Sequence, residues 1–351
     1  MALDCVAQFS CGIVYIFVVC MISVILPFHN AGEQLAQSIQ SVVEQTFSDW
    51  ELILVNNNST DVSREIAEDF TTTLPEKVRL VTEPKQGVVY AMNAGLGHTR
   101  GEWVARLDAD DTWLPTKLAR QVDYCKKYPE AKVVATQVRF NTSLEHAEGL
   151  NTYVDWSNSI YTASAINKSI FTEAPLVNPS LLFRKELIDE YGPYREGDFP
   201  EDYEMLLRWH SHGVEMAKVP EKLMDWNDSA QRLTRTHAAY TQDAFNRVKC
   251  AYLAKWLRKS GKAANVWIWG AGRKTRKKVK ELERHGIDIK GFIDLREDKT
   301  SVKPCLHYKS VQTGFEGFVI SFVSNRGKGE EVRQYLLGES FKELEHFVIA
   351  G

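Results

Sequence analysis

Short apolar runs alternate with stretches of helical spacing along the N-terminal part of the chain. Ile22 to Leu26 is apolar and β-branched and stops at Pro27, as a strand buried on both faces would. After a loop at Pro27-Phe28-His29-Asn30-Ala31-Gly32, the positions Leu35, Ile39, Val42 and Val43 recur at helical spacing within Glu33 to Thr46. Trp50 to Val55 predicts a second strand, which runs out into Asn56-Asn57-Asn58-Ser59-Thr60-Asp61. Ser59, Thr60 and Asp61 are suited to cap a helix over Val62 to Phe70. Val78 to Val81 predicts a third strand, Gln86-Gly87 a loop, and Val89 to Leu96 a helix. Glu102 to Leu107 predicts a fourth strand, and a helix-like run follows from Pro115.

This β-α-β-α-β-α-β order implies a parallel, doubly wound sheet, whose ligands sit beyond the carboxyl ends of its strands. Three of those ends are polar: Pro27-Phe28-His29-Asn30, Asn56-Asn57-Asn58-Ser59 and Asp108-Ala109-Asp110-Asp111.

The last of these carries the sharpest chemistry. Like charges a few ångströms apart repel by roughly 1–4 kcal/mol, depending on the local dielectric. A hard cation such as Mg²⁺ or Mn²⁺ would relieve that cost through carboxylate oxygens. A solvated turn with an Asp N-cap before Pro115 explains the same residues. Both readings stay open on this stretch alone.

Composition narrows the class. The 351 residues are long for one domain and comfortable for two. With 44% hydrophobic and 25% charged residues the chain can build a sizeable core. A net charge of −3 gives no overall basic field, so no nucleic-acid partner is expected. The six cysteines include no C-x-x-C pair, which argues against a zinc site or a dithiol motif and fits a reducing, cytoplasmic setting. Ile13 to Leu26 is almost continuously apolar, yet no basic n-region precedes it, and Met21 onward already reads as the first strand. Residues 1–20 are read as an upstream extension before a natural start at Met21, with a membrane-associating segment as the alternative.

The motifs together resemble family 2 of the GT-A-fold glycosyltransferases. The resemblance rests on Ser23 to Asn30, Gln45 to Leu52, Asn58 to Asp61, Gly101-Glu102, Leu107 to Asp111, Asn178 to Arg184 and Glu201 to Trp209, and covers roughly Met21 to Trp256. It implies an α/β fold with a doubly wound, mostly parallel GT-A sheet. It also implies an inverting transferase that moves a sugar from a nucleotide-sugar donor, a UDP-sugar above all, to a saccharide or lipid-linked saccharide acceptor. By the same resemblance Asp108 and Asp110 form the D-x-D pair. Asp110 holds the divalent metal, Mn or Mg, and Asp108 meets the ribose or the metal. Asp111 is left as a helix N-cap. Asp202, with Glu201 beside it, is the catalytic base near the start of a helix, where an ionised carboxylate is favoured.

Donor-binding positions carried over are Pro27, His29, Asn30, Asn56, Asn57, Gly87 and Asn93, with Arg232 and Arg235 on a basic segment that closes over the diphosphate in many relatives; a solvated basic loop explains that segment equally. His237 on that segment is a further metal candidate. Asn56 and Asn57 depart from the family, which places an acidic pair there to read the nucleotide base. Asn retains hydrogen bonding but loses the charge-assisted bond. Residues 141–176, polar and aromatic, fall where acceptor-binding elements lie in the family; an ordinary surface insertion explains them equally.

Ser260-Gly261-Lys262 reads as a linker, giving domains at 21–259 and 260–351. The second begins with the strand Asn265 to Trp269, then Gly270-Ala271-Gly272, a basic helix, and the strand Ile289 to Asp294, which resembles the first β-α-β of a Rossmann domain. Thr275 replaces the third glycine, so looser helix–strand packing is expected. The basic run Arg273 to Lys278 is read as a solvated face, or else as an anion or membrane-surface patch. Surface polysaccharide or glycolipid biosynthesis in the cytoplasm, at the inner face of the membrane, is the expected setting, and peripheral membrane association is allowed. Three rivals are a nucleotidyltransferase, a non-catalytic nucleotide-sugar-binding module, and an NAD-dependent oxidoreductase built on Gly270 to Gly272.

Overall fold

The structure is a computed structural model describing residues 21–145, 147–229, 232–297, 303–323 and 327–351. The extension 1–20 lies outside them. The first half alternates as the apolar pattern predicts: β1 (Ile22–Phe28), α1 (Gln34–Val43), β2 (Trp50–Asn56), α2 (Ser63–Thr73), β3 (Val78–Thr82), α3 (Val88–Gly97) and β4 (Trp103–Arg106). β1 and β2 are buried almost throughout, which explains their unbroken apolar runs.

The chain then departs from simple alternation. A short β5 (Thr112–Trp113) precedes α4 (Lys117–Lys127) and a long β6 (Val133–Asn141). The insertion 141–176 folds into α5 (Glu148–Ser159) and α6 (Ala163–Ser169). β7 (Leu182–Arg184), α7 (Glu186–Tyr191), α8 (Glu201–Ser211) and β8 (Met216–Asn227) complete the sheet. Its order is β3-β2-β1-β4-β7-β6-β8-β5. β1 to β4 run parallel, whereas β7 pairs antiparallel with both β4 and β6, and β5 antiparallel with β8. The parallel half gathers the carboxyl ends of β1, β2 and β4 along one edge.

A second sheet follows a short helix α9 (Leu233–Thr236) and the 18-residue α10 (Gln242–Lys259). It consists of β9 (Val266–Trp269), α11 (Arg273–Arg284), β10 (Ile289–Asp294), β11 (Cys305–His307), β12 (Phe318–Ser321), α12 (Lys328–Gly338) and β13 (Phe347–Ile349). All five strands are parallel, in the order β11-β10-β9-β12-β13. The loose packing expected from Thr275 does not occur. Thr275 is buried, and its hydroxyl lies 3.4 Å from where a Cβ on Gly270 would stand, so it fills the helix–strand contact.

α10 belongs to both halves. One continuous apolar core runs from Tyr203 and Leu206 on α8, through Val248 and Leu253 on α10, to Val279 and Leu282 on α11. The Lys249 ammonium donates to the carbonyls of Thr172 and Ala350, each at 2.9 Å, and Thr172 Oγ1 donates to Ile349 O. Among the described residues no helix is long and apolar enough to cross a membrane.

One carboxylate ties the amino edge of the first sheet. Glu51 accepts from Ser23 Oγ at 2.7 Å, from the Arg100 backbone at 2.7 Å, and from the Arg79 and Arg100 guanidiniums. Burial alone would raise its pKa; these donors outweigh burial and hold it below the usual value. Removing Glu51 strands the buried Ser23 hydroxyl, while Arg79 and Arg100, 38% and 55% exposed, turn to solvent. Glu51→Ala is expected to lose about 1–3 kcal/mol in urea unfolding at pH 7. A depressed carboxylate stabilises above its unfolded pKa of about 4.3, so the gap between wild type and variant should close as pH falls below that value.

Candidate active site

The acidic turn after β4 is held from three sides. Ser38 Oγ on α1 donates to Ala109 O at 2.8 Å, and the Asn227 side chain donates to Asp110 O at 2.7 Å. The Asn227 backbone N–H donates to Asp111 Oδ1 at 2.8 Å. This overturns the N-cap assignment of Asp111. Thr112 and Trp113 pair with β8 first, and α4 begins only at Lys117. Asp111 is buried, and its Oδ2 has no hydrogen-bond partner among the described residues.

Arg106, the last residue of β4, is the centre of the site. Its guanidinium is buried and bonds Asp108 Oδ1 at 2.9 Å, with Glu201 Oε1 3.9 Å from Nη1. Burial disfavours its charge, but Asp108 and Glu201 outweigh burial and keep it protonated. The sequence offered one signal that was passed over: a charged residue inside the apolar run Trp103-Val104-Ala105-Arg106-Leu107.

α8 brings the second acidic pair to the same place. Glu201 is buried and accepts from the Tyr240 hydroxyl. Burial first, then the neighbouring Asp202, pushes its pKa up to about 7. Asp202 is half-buried, with Oδ1 taken by the Tyr203 N–H at 2.7 Å; burial raises its pKa, and Arg106 opposes the rise. Of the two, Asp202 keeps an oxygen without a hydrogen-bond partner among the described residues, while both Glu201 oxygens face Tyr240 or Arg106. Arg208 sets the approach to this helix. It pairs with Glu204 at 3.0 Å and donates to the carbonyls of Tyr191, Gly192 and Pro193, fixing the chain that leads to Tyr194.

The remaining predicted residues divide. Arg232 joins the site: its guanidinium lies 3.9 Å over the Trp226 ring, and its charge lowers the pKa of Asp110. Arg235 is bound to Asp228. His237 Nδ1 accepts from the Ala239 N–H at 3.2 Å as a local cap. Gln231 lies outside the described residues. Asn93 clamps the Tyr194 backbone through two bonds, at 2.9 and 3.1 Å, and so positions a loop.

Asn57 is likewise committed. It donates to the carbonyls of Glu83 and Lys85 and accepts from the Gly87 N–H, all at 2.8–2.9 Å. Asn56 Oδ1 accepts from Ser59 N. The Asn57 amide is thus fully engaged in shaping the rim. Gly87, at φ 133°, needs its missing side chain, because a Cβ would press on the Tyr90 ring. Past Pro27 on β1, His29 Nδ1 pairs with Asn57 O at 2.8 Å, and exposed Asn30 accepts from Thr60 N at 2.8 Å. The insertion 141–176 touches the site through Tyr153, whose ring is 6.1 Å from that of Trp226.

The acids fit a hard cation. Burial and then Asp108 push Asp110 up to about 6, and Asp111 is raised well above its usual range by burial, Asp110 and Asp108. The donor atoms are all oxygen, and one is buried without a partner. Among the described residues no three His, Cys, Asp or Glu side chains converge on one ion position. The oxidoreductase rival fares worse. Asp294, where a ribose-binding acid was expected, spends one oxygen on the Ala271 N–H at 2.8 Å and the other on Leu295 N.

The glycosyl transferase family 2 model matches residues 23–192. The amylovoran biosynthesis glycosyltransferase AmsE of Erwinia amylovora is 30% identical over 208 residues, covering 58% of this chain and 75% of that protein. The UDP-Glc:alpha-D-GlcNAc-diphosphoundecaprenol beta-1,3-glucosyltransferase WfgD of Escherichia coli is 33% identical over 108 residues, 30% of this chain and 42% of that protein. The chain spans only 32% and 42% of the first curated relatives it matches. Among solved structures, S. aureus TarS in complex with UDP-GlcNAc superposes with a TM-score of 0.52 at 15% identity, covering 69% of this chain and 75% of that one.

A carboxylate whose folded pKa is raised destabilises the fold as pH climbs from its unfolded pKa, about 3.9, to its folded one, and no further beyond that. Without added cation, the stability contribution of Asp110 should fall by about 2 kcal/mol between pH 4 and pH 7. Asp110→Asn should remove that fall and melt higher than wild type at pH 7. Asp111→Ala, by contrast, strands the Asn227 N–H and should cost about 1–3 kcal/mol in denaturant unfolding.

Proposed function

The chain belongs to glycosyl transferase family 2, and we propose that it is an inverting transferase acting from a nucleotide-sugar donor on a hydroxyl of a saccharide or lipid-linked saccharide. The observation that carries this is the meeting of two acidic pairs from distant sequence around one buried arginine: Asp108 and Asp110 after β4, Glu201 and Asp202 at the start of α8. A transferase needs one group for the leaving diphosphate and another for the acceptor proton, and the two pairs supply them.

Asp108 and Asp110 would hold a divalent cation, Mn or Mg, together with the diphosphate. That ion supplies charge neutralisation as the glycosidic bond breaks. Arg232, stacked on Trp226, adds a fixed positive charge on the same side. Asp202 takes the proton from the acceptor hydroxyl as it attacks. Its unpartnered oxygen and its raised pKa suit a base near neutral pH. Glu201, held by Tyr240 and faced by Arg106, positions the start of α8. The rim formed by Pro27, His29, Asn30, Asn56, Asn57 and Gly87 would receive the nucleotide, its shape set by the Asn57 bonds.

Two similar proteins support the substrates. TarS was solved with UDP-GlcNAc, and WfgD is named for transfer from UDP-Glc to a diphosphoundecaprenol-linked sugar. Polysaccharide or glycolipid assembly on the cytoplasmic side of a membrane follows as the setting, with domains at 21–259 and 260–351.

Asp202→Asn should lower kcat by roughly 10²–10⁴-fold with donor binding within twofold of wild type. Asp110→Ala should abolish Mn²⁺-dependent thermal stabilisation by nucleotide sugars. A wild type that hydrolyses and binds no nucleotide sugar would remove the enzyme reading. Unchanged transfer by Asp202→Asn would remove the base assignment alone.

A further inference from the structure

We propose that the outer face of α11, with the adjoining exposed side of α10, docks the protein on an anionic lipid bilayer. The two helices contain twelve basic residues, ten of them exposed, and three acidic ones, in a chain whose net charge is −3. The charge is not scattered. On α11, Arg273, Lys277, Lys280 and Arg284 recur at spacings of four, three and four, so they form one stripe about 17 Å long. Thr275, Lys278, Val279 and Leu282 face the opposite way and are buried. All four stripe residues are exposed, and Lys255, Arg258 and Lys259 are exposed on α10.

Internal acids do not cancel this face. Glu281 pairs with Arg284, and Lys277 lies 3.6 Å from Asp243 with both side chains mostly in solvent. Exposed pairs of this kind are weak and yield to a stronger anionic surface. Structural demand does not explain the stripe either, because α11 is anchored by its buried face.

A bilayer suits the surface better than a nucleic acid does. α11 has no aromatic side chain on which a base could stack. Leu295 is 69% exposed, directly after the Asp294 carboxylate that holds the Ala271 N–H at the entry to α11. A bare leucine at the end of a cationic stripe can enter the headgroup boundary while the lysines and arginines meet lipid phosphates. The location also matters. Asp243, beside Lys277, lies three residues beyond Tyr240, whose hydroxyl holds Glu201. The stripe therefore starts next to the element that borders the acidic site. The surface is read from charge and exposure and stands whether or not the acceptor is lipid-linked.

The test is co-sedimentation of the full chain with phosphatidylcholine vesicles and with vesicles containing 30% phosphatidylglycerol. Wild type is expected to bind the anionic vesicles at 50 mM salt, to leave the neutral ones in solution, and to dissociate at 500 mM salt. A triple variant, Arg273→Glu with Lys277→Gln and Lys280→Glu, should bind at least a hundredfold more weakly with an unchanged melting midpoint, since each basic residue near an anionic leaflet is worth about fivefold. Lys255→Glu with Lys259→Glu is the second variant, and a weaker loss is expected there. Equal binding by wild type and triple variant would overturn the proposal. So would binding to neutral vesicles that ignores salt, or tighter binding to single-stranded RNA than to the anionic vesicles.

Discussion

A guanidinium buried between two carboxylates holds this site together. Arg106 ends β4, Asp108 follows it two residues later, and Glu201 arrives from the far side of the fold on α8. Without Arg106, the acidic turn and the acidic helix start would face one another across a poorly solvated gap. Burial is costly for every one of these groups, and only paired charge makes it tolerable. The arrangement is thus constrained twice. The acids must be near enough to share a substrate, and the arginine must be near enough to both to keep them ionisable. Tyr240 adds a neutral donor to Glu201 and carries the constraint onward to the segment that opens α10.

The next layer of support is a set of polar side chains bonded to backbone groups. Asn57 fixes the loop 83–87, Asn93 fixes Tyr194, and Arg208 fixes the carbonyls of 191–193. Asn227 fixes the acidic turn itself. Each of these lies at or next to an element end and gathers backbone groups that strands and helices leave unpaired. Lys218 does the same for the insertion: its buried ammonium donates to Ser157 and Pro175, which attaches α5 to β8. Precise placement of a few reactive groups rests on these anchors more than on the apolar core beneath.

The sequence made the parallel half legible because a buried parallel strand needs an unbroken apolar run, and Ile22 to Leu26 and Trp50 to Val55 have one. The places of Asp108 and Asp110 after a strand end and of Glu201 and Asp202 at a helix start were legible from the apolar pattern around them. The antiparallel strands were less so. β5 is two residues long, too short for any period, and missing it turned Asp111 into a cap for a helix that starts six residues later. Side-chain commitment was illegible too. Asn57 read as a recognition residue because its type suits one, yet its amide is consumed by backbone partners that only the folded loop brings near. Tyr240 lies 39 residues from Glu201, and nothing in its neighbours announced the bond.

The Lys249 ammonium, caught between Thr172 O and Ala350 O, has a consequence for how the chain acquires its shape. The partner carbonyls are 178 positions apart along the chain, and the core that α10 shares with α8 also includes Phe322, Val348 and Ala350. During synthesis, the apolar face of α10 beside α8 stays uncovered until those positions have emerged. The first sheet can form early, but its finished packing waits for the second. Folding of the two halves is therefore interlocked and not sequential, and apolar surface stays exposed on the first half until the second has been made.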